Sequence, residues 1–100
     1  IAYIGSGGEV LVAHNDVTAA MIVESAAKEG LRAGEDYAII SFDDDPKLRK
    51  HNLTTVAPPL DRMASLLPEL ISESRTGLLD GSRMTFKLQS RLVVRSSARF

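Results

Sequence analysis

The sequence predicts an α/β protein built on a parallel sheet, and three observations carry that expectation. Val10-Leu11-Val12-Ala13 and Tyr37-Ala38-Ile39-Ile40-Ser41-Phe42 are strongly apolar runs of strand length, the pattern of strands covered on both faces. Each run ends in a polar tip, His14-Asn15-Asp16 after the first and Asp43-Asp44-Asp45 after the second. Between them lies a segment with helical spacing, and strand, helix, strand in that order is the unit that places consecutive strands parallel.

Taken in order, Ile1-Ala2-Tyr3-Ile4 is a short strand-type run, and Gly5-Ser6-Gly7-Gly8 is a flexible turn with almost no side chains to pack. After the Val10 strand, Asn15 or Asp16 is placed to cap a helix running from Val17 to Glu29. Val17, Ala20, Met21, Glu24, Ala27 and Lys28 share one stripe of that helix, apolar in its first half, and Gly30 is placed to stop it. Leu53-Thr54-Thr55-Val56 is a short β-branched segment, followed by the stiff connector Pro58-Pro59. Leu60, Met63, Leu66, Leu67, Leu70 and Ile71 predict a second helix to Ser74, kinked at Pro68. Asp80-Gly81 marks a turn, and Met84 to Val94 predicts one long strand or two short ones before a polar tail.

Composition narrows the function classes. One hundred residues, 44% hydrophobic and 25% charged, fit a single soluble globular unit. A net charge of −1 gives no footprint for a phosphate backbone, so direct nucleic-acid binding is not expected. No apolar run approaches the roughly 18 residues of a membrane span, and no secretory leader is visible. The absence of cysteine removes disulfides and thiolate zinc sites and accords with a reducing cytoplasm, the expected location.

Ligands of open parallel sheets bind beyond the carboxyl ends of the strands, where this sequence puts Asn15, Asp16 and the three aspartates. A carboxylate accepts and an amide both donates and accepts, a pairing suited to the vicinal hydroxyls of a sugar or the donor edge of a base. The competing reading of Asn15 and Asp16 is helix capping alone. Asp43 to Asp45 could instead hold a hard cation or accept a phosphoryl group, but the acidic pair and lysine of a receiver site do not occur in order. His14 and His51 lack a metal-ligand spacing, no serine sits in a nucleophile elbow, and the glycines at 5–8 lack the spacing and lysine of a phosphate loop. Neither catalytic residues, nor metal, nor cofactor are expected, and the chain reads as a binding module rather than an enzyme.

Several segments resemble, in order, the effector-binding core of LacI/GalR-type bacterial transcription regulators. Val12-Ala13-His14-Asn15-Asp16-Val17-Thr18-Ala19 is similar to that family's strand-then-"AND-x-x-A" segment, and Gly30 to Tyr37 to its "G-L-x-x-P-E-D-v" approach. Ile39-Ile40-Ser41-Phe42-Asp43-Asp44 resembles "V-V-G-F-D-D", Leu53-Thr54-Thr55-Val56 with Pro59 the "L-T-T-V-x-x-P" crossover, and Arg91 to Ser97 the terminal "x-L-V-V-R-x-S". Ser41 stands where glycine is usual, Gly34 where proline is usual, and Pro68 interrupts the late helix. The resemblance implies a periplasmic-binding-protein-like parallel-sheet α/β sandwich, here incomplete. Within it, 1–5 is the family's first strand, 6–9 a Gly-rich junction standing where the family has several βα units, 10–52 strands and helix of the C-terminal lobe, and 53–100 the crossover, helix and terminal strands.

It also implies a small-molecule effector, commonly a sugar, contacted by Asn15 and Asp43, with Asp16 and Phe42 as second choices. Dimerisation through the core and operator DNA held by a separate N-terminal helix-turn-helix headpiece belong to the same implication. Two other readings follow from the sequence. The Ser6-Gly7-Gly8 junction suits an engineered or truncated scaffold without sensing function, and the shared architecture suits an extracytoplasmic sugar-binding protein.

Overall fold

The computed structural model describes residues 9–76 and 85–99. The elements are β1 (Val10–Val12), α1 (Asp16–Lys28), β2 (Ala38–Phe42), a 3₁₀ helix (Pro46–His51), β3 (Thr54–Ala57), α2 (Leu60–Thr76) and β4 (Arg91–Val93). The expected strand at Ile1–Ile4, the Gly5–Gly8 turn, the Asp80-Gly81 turn and the start of the Met84 segment lie outside the described residues. Two compact units divide the chain: the sheet, with α1 and the 3₁₀ helix, and separately Pro59–Ser90, which carries α2.

The sheet order is β1-β2-β3-β4. β1, β2 and β3 run parallel, in the register Val12↔Ile40 and Ile40↔Thr54, as the β-α-β order dictates. The α/β class stands, but the sheet is mixed: β4 pairs antiparallel with β3, Thr55 opposite Val93 and Val56 opposite Leu92. An antiparallel edge strand on an otherwise parallel sheet is common. Of the Met84–Val94 segment, Thr85–Ser90 carries no strand, and β4 occupies Arg91–Val93 alone.

β1 corrects a second expectation. Among the described residues it is an edge strand covered on one face only, and Val10 and Val12 stay 63% and 67% exposed while Leu11 packs against the core. Apolar character in a short run reports β propensity, not coverage from both sides. The core lies between the other face of the sheet and α1: Ala13, Ala19, Ala26, Tyr37, Ile39 and Leu53, with Leu11, Ile22, Val23, Leu31 and Ala33 against them. The Tyr37 phenol is buried without a hydrogen-bond partner among the described residues, and that burial, helped by Asp36, pushes its pKa above the ordinary value.

α1 is capped as the sequence predicts. Asn15 has extended backbone and its Oδ1 accepts from Thr18 N at 2.8 Å. At the other end Leu31 N donates to Ala26 O and Gly30 N to Ala27 O, both at 3.0 Å, the Schellman arrangement, with Gly30 at φ +79°. The helix is turned away from the expected stripe, however: Asp16, Ala19, Ala20 and Ala26 are buried, while Val17 and Met21 are 54% and 64% exposed. Small residues on the inward face let the helix approach the sheet closely, and the aspartate at its start finds partners there.

The sheet's later strands are stitched by hydroxyls. Ser97 Oγ accepts from Thr54 N and donates to Ile39 O, both at 2.7 Å, and the Thr54 hydroxyl accepts from Arg95 N at 2.8 Å. In the second unit, α2 runs through Pro68 without ending, although proline removes one backbone hydrogen bond there.

Candidate functional site at the strand tips

Asn15 and Asp43 stand three residues beyond the paired positions Val12 and Ile40, so the two tips leave neighbouring parallel strands at the same level. Parallel neighbours lie about 4.8 Å apart, which brings both tips to one end of the sheet. The path of the second tip is unusual. Asp43 and Asp44 both adopt positive φ, +117° and +56°, conformations that disfavour residues with a Cβ.

Three hydrogen bonds hold this turn, one per residue. Asp43 N donates to Val56 O at 2.9 Å, Asp44 N to Thr55 Oγ1 at 3.4 Å, and Asp45 N to Asp16 Oδ2 at 2.6 Å. The other oxygen of Asp16 accepts from Ser41 Oγ at 2.6 Å and Thr55 Oγ1 at 2.9 Å. Asp16 is thus an interior hub, 3% exposed and placed at the N-terminus of α1, where the helix dipole favours a negative charge. Both oxygens of this second-choice ligand residue are bonded within the protein, because Ser41 and Thr55 face α1 and supply donors no solvent can replace, and the Asp45 N–H donates to the remaining oxygen.

The three consecutive aspartates then separate by task. Asp45 accepts from Lys47 N at 3.0 Å and caps the 3₁₀ helix. Asp44 is an ion-pair partner, its carboxylate 2.9 Å from Arg95 and 3.7 Å from Arg49. Asp43 is exposed, and its carboxylate makes no hydrogen bond or ion pair among the described residues. No group of three acidic or histidine side chains among those residues gathers into a metal-holding cluster. Asn15 is half-buried; its Oδ1 is the helix cap, and its Nδ2 donates one hydrogen to His14 Nε2 at 3.0 Å. The second amide hydrogen remains available. Phe42 ends β2 on the face away from α1, 40% exposed, offering an apolar surface beside Asp43. The site therefore presents one uncommitted carboxylate, one amide N–H and one aromatic face.

Sequence reasoning missed Ser41, Thr55, Arg49 and Arg95. A signal existed for Ser41: side chains two apart on a strand share a face, so Ser41 had to point inward beside Ile39. A buried hydroxyl in that phase implies a buried partner.

Behind the tips, His51 Nε2 lies 2.9 Å from Glu24 Oε1, joining the 3₁₀ helix to α1. That hydrogen bond holds the Glu24 carboxyl below its ordinary value of 4.5, against a smaller opposing effect of burial. A carboxyl with a depressed folded-state pKa contributes stability above its unfolded value and loses it as pH falls through the folded one. Glu24→Gln is accordingly expected to lower Tm slightly at pH 7, with the gap to the parent closing below about pH 4. A gap independent of pH in thermal melts would show that the ionised Glu24 carboxylate gains nothing from His51.

A model of the periplasmic binding protein-like domain matches residues 9–98. The chain belongs to that family. Among curated relatives of this periplasmic-binding-protein-like domain is the NTD biosynthesis operon regulator NtdR of Bacillus subtilis (strain 168), 32% identical over 85 residues. That alignment covers 83% of the present chain and 26% of the relative, so the chain spans about a quarter of the relative's length. No solved structure matches significantly. Family and relative are of binding and regulatory type, and together they support the resemblance to a LacI-like regulator core. No described helix is long and apolar enough to cross a membrane.

Proposed function

We propose that this periplasmic-binding-protein-like domain senses a small-molecule effector, a sugar or a related polyol, on behalf of a DNA-binding transcription regulator. The observation that carries the reading is Asp43: alone of the three consecutive aspartates, its carboxylate has no partner among the described residues, yet the residue is fixed at φ +117° by the turn around it. A carboxylate held ready beside an amide N–H and an aromatic face suits a polyhydroxylated ring, which offers paired hydroxyls at its edge and C–H groups on its face. Recognition, not reaction, is the role, since no nucleophile or general-base pair accompanies the carboxylate among the described residues.

Operator contact belongs to a separate headpiece in this reading, because the chain's net charge of −1 offers no attraction to DNA. The regulator acts in the cytoplasm as a homodimer, and effector binding shifts its population between states of different operator affinity. The name of the Bacillus relative, an operon regulator, supports the regulatory part.

One substitution separates function from folding. Asp43→Gly removes the carboxylate while relieving the positive φ, so Tm is expected to hold or rise. Affinity for the sugar is expected to fall about 10- to 100-fold, the worth of a charge-assisted hydrogen bond. Calorimetry of the full chain with D-glucose, D-galactose and D-ribose at millimolar concentration checks both, and binding by the glycine variant equal to the parent's would sink the assignment.

A further inference from the structure

We infer that Asp16 is a positioning residue: through Ser41, Thr55 and the Asp45 amide it clamps the turn that presents Asp43, and so sets effector affinity without touching the effector. The assignment of an effector to Asp43 rests on the function proposed above; the clamp stands on geometry alone. Three separate strands converge on this one carboxyl group. It follows β1, accepts the Ser41 hydroxyl of β2 at 2.6 Å and the Thr55 hydroxyl of β3 at 2.9 Å, and takes the Asp45 N–H at 2.6 Å. Thr55 passes the restraint on, since the hydroxyl that donates to Asp16 also accepts from Asp44 N. Two of the turn's three amides therefore depend on Asp16, directly or at one remove, and the third is tied to β3 through Val56 O.

A turn with two residues at positive φ is not its own free-energy minimum; it persists because its surroundings over-determine it. Without the clamp, Asp43 and Asp44 are free to relax toward negative φ, which re-aims the Asp43 carboxylate. Ser41 strengthens the arrangement in this chain specifically. A glycine there, as in the "V-V-G-F-D-D" pattern, has no hydroxyl to give, so the Ser41 bond is an added restraint on the same carboxyl group.

The test uses the full chain and three variants. Asp16→Asn keeps size and one acceptor oxygen but places an N–H₂ against one of the donors; Thr55→Val and Ser41→Ala each delete a hydroxyl, and the latter two keep the question open should the first not fold. Amide hydrogen exchange read by NMR is the primary measurement. The expected result is a loss of protection at Asp44 and Asp45 that exceeds any loss shared by the amides of α1 and β2 by tenfold or more, in Asp16→Asn and, more weakly, in Thr55→Val. Calorimetry with D-glucose, D-galactose and D-ribose is expected to show about tenfold weaker binding of whichever sugar the parent binds.

Unchanged protection at the turn, or a uniform loss across α1 and the sheet, would overturn the clamp. A loosened turn with undiminished affinity would overturn the positioning role. Should the parent bind none of the three sugars, the proposed sugar specificity fails while exchange still decides the clamp.

Discussion

Asp16→Ala is expected to cost about 3–5 kcal/mol of folding free energy, the loss associated with removing one partner from a buried polar network. At about 4–8 °C per kcal/mol for a domain of this size, Tm falls by about 12 °C or more. The reason lies in what remains behind. Deleting the carboxyl group strands the Ser41 and Thr55 hydroxyls, which are themselves fully buried, and the Asp45 N–H, and no other acceptor for them is present among the described contacts. Each stranded donor costs about 1–3 kcal/mol, reduced where a hydroxyl can rotate to another oxygen. The favourable charge at the start of α1 disappears as well, at about 0.3–1 kcal/mol. Urea denaturation followed by circular dichroism measures the sum. A loss below about 1 kcal/mol would mean that the network is stabilised no better than by water.

The network also shows why some of this molecule was legible in its sequence and some was not. Strand, cap, helix and stop could be read locally: Asn15 bonds to Thr18, three residues on, and Gly30 closes α1 through Ala27. Interactions confined to a few residues leave a signature in a few residues. Asp16 reaches partners 25, 29 and 39 positions away, and no window of the sequence contains them. Counting apolar residues therefore put Val17 and Met21 inside, whereas the helix turned to bury its aspartate and its alanines. The direction of β4 was hidden for a similar reason, since it depends on how the chain returns to the sheet after residues 59–90. At the candidate site, the order of segments placed Asn15 and Asp43 at neighbouring strand ends. What it could not supply was the division of labour among Asp43, Asp44 and Asp45, which depends on Arg95 arriving from the far end of the chain.

Gly34 yields the second large effect, and it opposes intuition drawn from resemblance. Its φ is +87°, its N–H donates to Tyr37 O at 2.7 Å, and a Cβ built on it would overlap the backbone carbonyl oxygen of Ser96. That oxygen cannot swing aside like a side chain, and the next residue, Ser97, is bonded to Ile39, Asn52 and Thr54. Gly34→Ala meets a conformational cost of about 1–3 kcal/mol and the overlap in addition, so a Tm fall of 10 °C or more is expected. Gly30→Ala is the control: it shares a positive φ of +79° but has nothing within 4 Å of the new Cβ, and about 1 kcal/mol is the whole expected cost. Proline is the usual residue at position 34 in the segment pattern this chain resembles, so Gly34→Pro looks like a stabilising reversion. Here it should be the worst of the three, because proline is locked near φ −65° and lacks the N–H that reaches Tyr37. Thermal melts of the three variants give the ranking. A proline variant as stable as the parent would mean that the Gly34–Ser96 approach can open at little cost, and that the contact between this loop and the chain after β4 adds nothing to the fold.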